Sequence, residues 1–179
     1  MNGSLFLSPS AAHSHFSDTQ ATLERLTALQ LIGKPFNQVW LCGEQFPHLI
    51  TFMGCSPFLQ FEPPADGSQN FCHVEIHHFT DIRVFTGSQT APPRCPHCRH
   101  RFADWKASLP VAGVAFDCPK CEHSLSQESL DWRQSGGAGC FFIEIHHIFP
   151  GEAVPADKLM HELQKLSGES WKYFYIADS

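Results

Sequence analysis

The sequence of 179 residues lacks a long apolar run. No stretch approaches the roughly eighteen consecutive apolar residues that a membrane span requires. Near the N-terminus the only apolar run is Leu5-Phe6-Leu7, and no basic residue precedes it. We therefore expect neither a signal peptide nor a membrane anchor, and no membrane partner.

The chain also lacks an excess of basic residues. Its 12 lysine and arginine side chains are outnumbered by 18 acidic ones, which gives a net charge of −6. Proteins bind nucleic acid largely through basic side chains that neutralise phosphates, so nucleic acid is disfavoured as a general partner. The glycine-rich phosphate loops, the G-x-S-x-G motif and the H-E-x-x-H motif are all missing. Phosphate chemistry and these hydrolase classes are therefore unsupported.

The composition is that of an ordinary folded protein. Apolar residues make up 42% of the chain and charged residues 17%, and 16 Phe and 4 Trp are available for packing. This length suits one sizeable domain with a small appendage better than two full cores.

Four of the eight cysteines form two closely spaced pairs. These are Cys95-Pro-His-Cys98 and Cys118-Pro-Lys-Cys121, with 19 residues between them. The spacing matches a four-cysteine zinc site, in which each pair turns tightly and aims two sulfurs at one ion. The proline after each leading cysteine fixes φ near the value such a turn needs. Four thiolates leave no position for water, so we predict one structural Zn²⁺; iron is not excluded, because a tetrahedron of four sulfurs suits both.

From these residues, the segment 95–121 resembles the zinc-ribbon or rubredoxin-like knuckle, a small pair of hairpins around a metal. The resemblance covers this segment only and implies no family for the rest of the chain. The residue after each second cysteine, often glycine in such ribbons, is Arg99 or Glu122 here, which predicts looser turns. Paired spacing disfavours two disulfides or unrelated thiols. A set of three cysteines and one histidine ranks below four cysteines, although three histidines lie in or beside the pairs: His97, His100 and His123.

The remaining four cysteines lie singly in apolar surroundings, as buried thiols do: Cys42, Cys55, Cys72 and Cys140. Thiols of this kind indicate a reducing compartment, and we expect the cytoplasm. No base is identifiable beside Cys55, so we interpret it as a turn residue and not as a nucleophile.

The pattern of apolar residues and turn signals predicts an α+β fold, with a largely antiparallel sheet, two helices on one face and an inserted four-cysteine zinc ribbon. The first helix follows a capping box at residues 17–20 and stops at Gly33, and the second begins near Pro155 and ends at Gly168. Strands are predicted within five segments: 36–43, 47–62, 70–86, 140–148 and 171–176.

The predicted domain organisation has three parts. Residues 1–16 form an arm, residues 17–89 and 134–179 form the α+β domain, and residues 90–133 form the inserted zinc ribbon. The glycine-rich run at 136–139 is interpreted as a linker, because no helix follows it.

One short motif occurs twice, which suggests an internal duplication. Residues 73–78 read His-Val-Glu-Ile-His-His and residues 142–147 read Phe-Ile-Glu-Ile-His-His. Because side chains alternate faces along a strand, four of them share the polar face: Glu75, His77, Glu144 and His146. If the two strands are neighbours, these carboxylates and imidazoles converge. They would then suit a second metal, Zn²⁺, Fe²⁺ or Mn²⁺, with a position open for water activation.

The simpler interpretation of this motif, which we favour, is a solvated or partner-binding sheet face with Glu–His charge pairs. His78 and His147 fall on the opposite, apolar face and are predicted to be hydrogen-bonded core histidines.

We therefore favour a zinc-binding module for binding or assembly, without catalytic activity, that contacts a protein partner or a second copy of the chain. The rival hypothesis is a metal-dependent enzyme that uses the Glu/His set. A third hypothesis is single-strand nucleic-acid binding at the basic first knuckle, although the same composition is typical of a solvated hairpin with a ring packed beneath it. The residues of that knuckle are Arg94, Arg99, Arg101, Phe102, Trp105 and Lys106.

Overall fold

The computed structural model describes residues 3–14, 16–54 and 59–177. In these ranges the helices are α1 (Thr19–Ala28), α2 (Phe46–Leu49), α3 (Trp105–Ser108) and α4 (Asp157–Ser167), with a 3-10 turn at Gln127–Ser129. The strands are β1 (Gly3–Pro9), β2 (Ile32–Phe36), β3 (Val39–Cys42), β4 (Ile50–Phe52), β5 (His73–Thr86), β6 (Phe116–Asp117), β7 (Ser124–Leu125), β8 (Gly136–Ile148), β9 (Ala153–Pro155) and β10 (Trp171–Ala177).

Six strands form one antiparallel sheet in the order β10-β1-β8-β5-β3-β2. The two longer helices lie on one face of this sheet, where Leu26 of α1 and Leu159 and Leu163 of α4 share a core with strand residues such as Leu5 and Ile143. The predicted α+β class and the largely antiparallel sheet are confirmed. Two small antiparallel pairs, β4 with β9 and β6 with β7, complete the strands of the described residues.

The opposite face of the sheet carries a layer of aromatic side chains. Phe6, Phe142 and Phe174 are buried there, and the rings of Phe6 and Phe174 stack with their centroids 5.1 Å apart. Side chains alternate faces along β1, so Leu5 and Leu7 pack on the face with the helices and Phe6 packs in the aromatic layer. The centre of the sheet is therefore covered on both faces.

The arm predicted for residues 1–16 is wrong over β1. This strand lies inside the sheet between β8 and β10, and Leu5 and Leu7 are fully buried. Its apolar run is only three residues long and its partners are in the second half of the chain, so the local signal was too weak to predict a strand.

Helix α1 also differs from the prediction. Its N-cap is Asp18 and not Ser17. Oδ1 of Asp18 accepts a hydrogen bond from the Ala21 N–H at 2.8 Å. The helix ends at Ala28, well before Gly33, because the chain turns through Gln30 at a φ of 56° and enters β2.

The predicted strand region 47–62 begins as a helix, because Pro47 sits in the first turn of α2, where a missing N–H costs nothing. Among the described residues of this segment, β4 is the only strand. Cys55 lies outside the described residues.

Helix α4 and strand β10 match their predictions, and Gly168 caps α4 with a φ of 76°.

The glycine run at 136–139 is not a linker but the first part of β8. The prediction failed because these glycines are required by packing and not by flexibility. A Cβ on Gly137 would lie 2.3 Å from Cε1 of Phe174, so only glycine lets that ring lie against the strand.

Cys42 and Cys72 are not isolated thiols. Cys42 ends β3 and Cys72 directly precedes β5, the neighbouring strand, and the two sulfurs lie 3.7 Å apart. The hydrogen bond with Cys72 and burial raise the pKa of Cys42 far above the ordinary range of a thiol, so this thiol stays protonated.

No helix in the described part of the chain is long and apolar enough to cross a membrane.

Replacing Gly137 by alanine tests the packing of β8. We expect Gly137→Ala to lower the free energy of unfolding by about 1–3 kcal/mol, the usual effect of overpacking. Gly139→Ala is the matched control, because its Cβ would first meet the Phe142 ring at 3.3 Å, and a smaller loss is expected. Urea unfolding measures both, and equal stabilities of the two variants and the wild type would contradict the close packing.

Candidate metal centres

The connection between β5 and β8, residues 87–135, forms a separate group of short elements that we call the ribbon lobe. Its ends adjoin Thr86 and Gly136, which are register partners in the sheet. Arg94 and Asp131 exchange two backbone hydrogen bonds of 2.9 Å and close its base. The lobe is thus an excursion between two adjacent strands, and the domain boundaries at 90 and 133 stay a prediction.

The lobe has a core of its own, separate from the two layers of the sheet. Phe102, Leu125, Leu130 and Trp132 are buried in it together with two cysteines. The Trp132 indole donates a hydrogen bond to the Gln127 carbonyl at 2.9 Å. Only a few apolar side chains fill this core, so apolar burial alone gives it little stability.

The two cysteine pairs form turns with the same hydrogen bonds. The N–H of Cys95 donates to the His100 carbonyl at 2.9 Å, and the N–H of Cys118 donates to the His123 carbonyl at 2.9 Å. The N–H group that follows each second cysteine donates back to the carbonyl of the first cysteine of its own pair. The repeated pattern makes each pair a closed knuckle that fixes two sulfurs.

The positions after the second cysteines adopt the left-handed conformation that glycine favours. Arg99 has a φ of 62° and Glu122 a φ of 59°, so the two turns are alike and the expected looseness is not observed. For an L-residue this conformation costs roughly 1–2 kcal/mol. Strain of this kind persists where the surroundings over-determine the geometry.

The ribbon lobe brings four sulfurs close enough together to hold one metal ion, and we call them the four-cysteine cluster: Cys95, Cys98, Cys118 and Cys121. Sγ of Cys95 is 3.8 Å from Sγ of Cys121, and Sγ of Cys98 is 3.6 Å from Sγ of Cys118. Sulfurs about 2.3 Å from one zinc ion in a tetrahedron lie about 3.8 Å from each other. All four cysteines are free of disulfides. The sulfur spacing therefore fits a tetrahedral site with four thiolate ligands.

Two thiols of this cluster have pKa values that are shifted in opposite directions. Burial opposes ionisation of Cys118, but the N–H groups of Lys120 and Cys121 donate to its sulfur and lower its pKa to about 6. At Cys121 the backbone N–H of His123 favours the thiolate, yet burial and the other sulfurs prevail and raise the pKa to about 12. A bound cation would favour the thiolate form of both sulfurs.

The histidines beside the pairs do not join the sulfurs. Among the described residues, the group around these sulfurs that could hold an ion consists of the four cysteines. The rings of His97 and His123 stack on each other at the exposed surface, with centroids 4.1 Å apart, and His100 packs edge-on against Phe102. The geometry gives the alternative of three cysteines and one histidine no support.

The second group of candidate ligands, the Glu/His cluster (Glu75, His77, Glu144 and His146), is also brought together by the fold. Strands β5 and β8 are neighbours, and Glu75 is the direct register partner of Glu144. One ligand atom from each residue lies within 4.8 Å of the others. The antiparallel pairing of two similar motifs gives the cluster an approximate two-fold arrangement.

Each imidazole of the cluster contacts the carboxylate of the other strand. Nε2 of His77 is 2.8 Å from Oε2 of Glu144, and Nε2 of His146 is 3.1 Å from Oε2 of Glu75. Burial opposes both charges of the His77–Glu144 pair. Their hydrogen bond and the neighbouring charges outweigh it, so the pKa of His77 is raised and the pKa of Glu144 is lowered.

A cleft of about 290 Å³ opens beside the cluster and is partly lined by Glu144 and His146. Its other walls come in part from Ser4 and Phe6 of β1, a strand that sequence analysis assigned to an arm. The Ser4 hydroxyl also hydrogen-bonds Glu144 and helps to lower its pKa. The signal that could have revealed β1 was the apolar triplet around Phe6.

Of the three remaining histidines of the two motifs, His78 and His147 do not occupy the predicted positions. His73 is buried, and its Nδ1 lies 2.8 Å from the Phe71 carbonyl oxygen. His78 is exposed and His147 is half-buried in a left-handed conformation with a φ of 53°, so the prediction of two core histidines is wrong for both. In β8 the side chains of the motif alternate between the two faces only as far as His146, because the left-handed conformation of His147 interrupts the extended backbone.

The basic first knuckle offers little to a single-stranded nucleic acid. Phe102 is buried in the lobe, and Trp105 packs edge-on against Trp132 with centroids 5.2 Å apart. Nη1 of Arg99 is engaged with Oδ2 of Asp131 at 2.7 Å. Stacking of bases requires free aromatic faces, so this geometry favours the solvated hairpin with a ring packed beneath it.

Comparisons of this chain with protein-family models, with curated proteins and with solved structures found no match.

Replacing one sulfur tests whether the lobe depends on the four-cysteine cluster. We expect Cys118→Ser to abolish amide protection across residues 94–131 while β1, β5 and β8 keep theirs, because the lobe core is too small to fold without a metal. Hydrogen exchange followed by mass spectrometry measures both regions. Cys140→Ser is the control, since this half-buried thiol lies on β8 outside the cluster. Loss of protection in both regions would refute an independently folding lobe.

Proposed function

We propose that this protein is a zinc-binding protein in which one Zn²⁺, held by the four-cysteine cluster, has a structural role, and that the chain serves as a binding or assembly module. The observation that carries the proposal is the sulfur spacing of 3.6–3.8 Å within closed knuckles. Four thiolates fill a tetrahedral ion completely, so this centre is not a catalytic one.

The small core of the lobe explains why a metal is needed. Structural zinc contributes about 10–16 kcal/mol of apparent binding free energy in small zinc-finger peptides. That amount exceeds the strain at Arg99 and Glu122, which is about 1–2 kcal/mol for each residue. Zinc would therefore hold the lobe in one conformation and present its outer surface to a partner.

The contact surface that we propose on the lobe is the loop between α3 and β6. It carries two exposed apolar side chains, Val111 with 73% and Val114 with 46% of its surface accessible. Apolar side chains on an ordered loop favour a protein partner or a second copy of the chain over a nucleic acid. The free cysteines support a reducing compartment such as the cytoplasm.

Metal analysis tests the zinc centre. We expect one tightly bound zinc ion per chain by native mass spectrometry, with proton release on loading because the thiols must ionise. Cys95→Ser should lose the ion, whereas His123→Ala, the control for a histidine ligand, should retain it. If the purified protein contains iron, the structural ion of the proposal is iron and not zinc. A metal-free protein that keeps its amide protection in the lobe would refute the proposal.

Sedimentation tests the assembly role. We expect the zinc-loaded chain to form a dimer at high concentration, and the variant Val111→Ser/Val114→Ser to stay monomeric because the apolar contact is lost. Val154→Ser, a half-buried valine of β9, is the control for a general effect of valine removal. Monomers in every case would exclude self-association and restrict the module to a different protein partner.

A further inference from the structure

The Glu/His cluster contains a charge arrangement that the protein alone does not balance well. Glu75 and Glu144 are direct partners across β5 and β8, and Glu144 is only 8% exposed. Like charges directly opposite each other destabilise a sheet, and buried carboxylates require compensating charge. Two facing carboxylates near the middle of a sheet therefore call for positive charge between them.

The two imidazoles meet this requirement only in part. Each donates to one carboxylate, His77 to Glu144 at 2.8 Å and His146 to Glu75 at 3.1 Å. A hydrogen bond from an imidazole satisfies one carboxylate oxygen and leaves the other oxygens of the two carboxylates to further donors or to an ion. A divalent cation would neutralise both carboxylates and would bind the same imidazole nitrogens as neutral ligands.

We propose that Glu75, His77, Glu144 and His146 form a second metal centre, which binds a divalent first-row transition ion and leaves positions open toward the cleft. This centre goes beyond the structural zinc and does not depend on it. Two imidazoles and two carboxylates suit Mn²⁺, Fe²⁺ or Zn²⁺ and lack the soft sulfur ligands of the ribbon lobe.

The distances within the cluster permit an ion after small side-chain rotations. The chosen ligand atoms all lie within 4.8 Å of one another. Two ligands on opposite sides of an ion, each about 2.1 Å away, are about 4.2 Å apart. Adjacent ligands of an octahedral ion at this distance are about 3.0 Å apart. The atoms that now bond to each other, at 2.8 and 3.1 Å, are close to that separation.

Neighbouring rings hold the ligands in place. The ring of His73 stacks on His146 with centroids 4.4 Å apart and is itself fixed by the Phe71 carbonyl. On the other side, Phe79 lies parallel to His77 at 6.0 Å between centroids. Ligands fixed by packing on two central strands are preorganised for binding.

The open side of the centre faces the cleft. Glu144 and His146 line this space of about 290 Å³ together with residues of β1. An octahedral ion with four protein ligands keeps two positions, which water or an oxygen atom of a small substrate can occupy. An ion with such a position can activate water, in contrast to the closed set of four sulfurs.

The test uses Mn²⁺ and the chain with its ribbon lobe loaded with zinc. Mn²⁺ stands at the weak end of the affinity series and prefers oxygen and nitrogen donors, so it does not displace zinc from four thiolates. Loss of the free-ion EPR signal measures binding, and enhanced relaxation of water protons reports water on the bound ion. We expect one Mn²⁺ per chain and enhanced relaxation. A parallel titration with Zn²⁺, counted by native mass spectrometry, covers a preference for that ion.

The variants separate a metal centre from a charge network. Glu144→Gln and Glu75→Gln should each weaken Mn²⁺ binding by at least about tenfold, since even outer-shell changes have effects of this size. Asp81→Asn, which removes an exposed carboxylate from the same strand outside the cluster, should bind as the wild type does.

Thermal unfolding gives a second readout that does not require activity. A metal centre predicts that Mn²⁺ raises Tm for the wild type but not for Glu75→Gln, and that without Mn²⁺ this variant is at least as stable as the wild type because the facing charges are gone. A pure charge network predicts a less stable variant and no effect of Mn²⁺. That second result, or the absence of any binding of Mn²⁺ and of a second Zn²⁺, overturns the proposal.

Discussion

The antiparallel pairing of β5 with β8 is the interaction on which both candidate centres depend. Near one end, this pairing sets Glu75 opposite Glu144 and brings the two imidazoles to the same face. Its far end, at Thr86 and Gly136, is the point from which the ribbon lobe leaves the sheet and to which it returns. A slip of one residue in this register would put the Glu and His of one strand on the opposite face from those of the other strand, and the cluster would be lost.

The two centres differ in the chemistry that their donors permit. The four-cysteine cluster is soft, fully coordinating and surrounded by a small apolar core, as a structural ion requires. The Glu/His cluster is built from harder donors on a rigid sheet and borders a cleft. A single chain can thus use one ion for folding and, as we propose, another for binding or activating a small ligand.

Local patterns predicted the parts of this structure that local chemistry determines. The spacing of Cys95 and Cys98 and of their later counterparts identified the sulfur cluster, and the Glu-x-His alternation identified which side chains share a face. Apart from the bounds of α1 and the short helix α2, what failed depended on distant partners. Strand β1 is defined by its neighbours β8 and β10, and Gly137 is defined by the ring of Phe174, far along the chain. Spacing shows that ligands can meet, whereas strand order decides whether they do.

The position of the ribbon lobe between two paired strands has a consequence for the order of folding. If the lobe is unfolded, β5 and β8 must find each other across the whole open chain of residues 87–135, and the entropy of closing a loop grows with its length. If the knuckles close first around their ion and Arg94 pairs with Asp131, the chain between the strands is reduced to two short connections. The ion in the lobe then acts on the rate at which the central sheet assembles, although it lies outside that sheet.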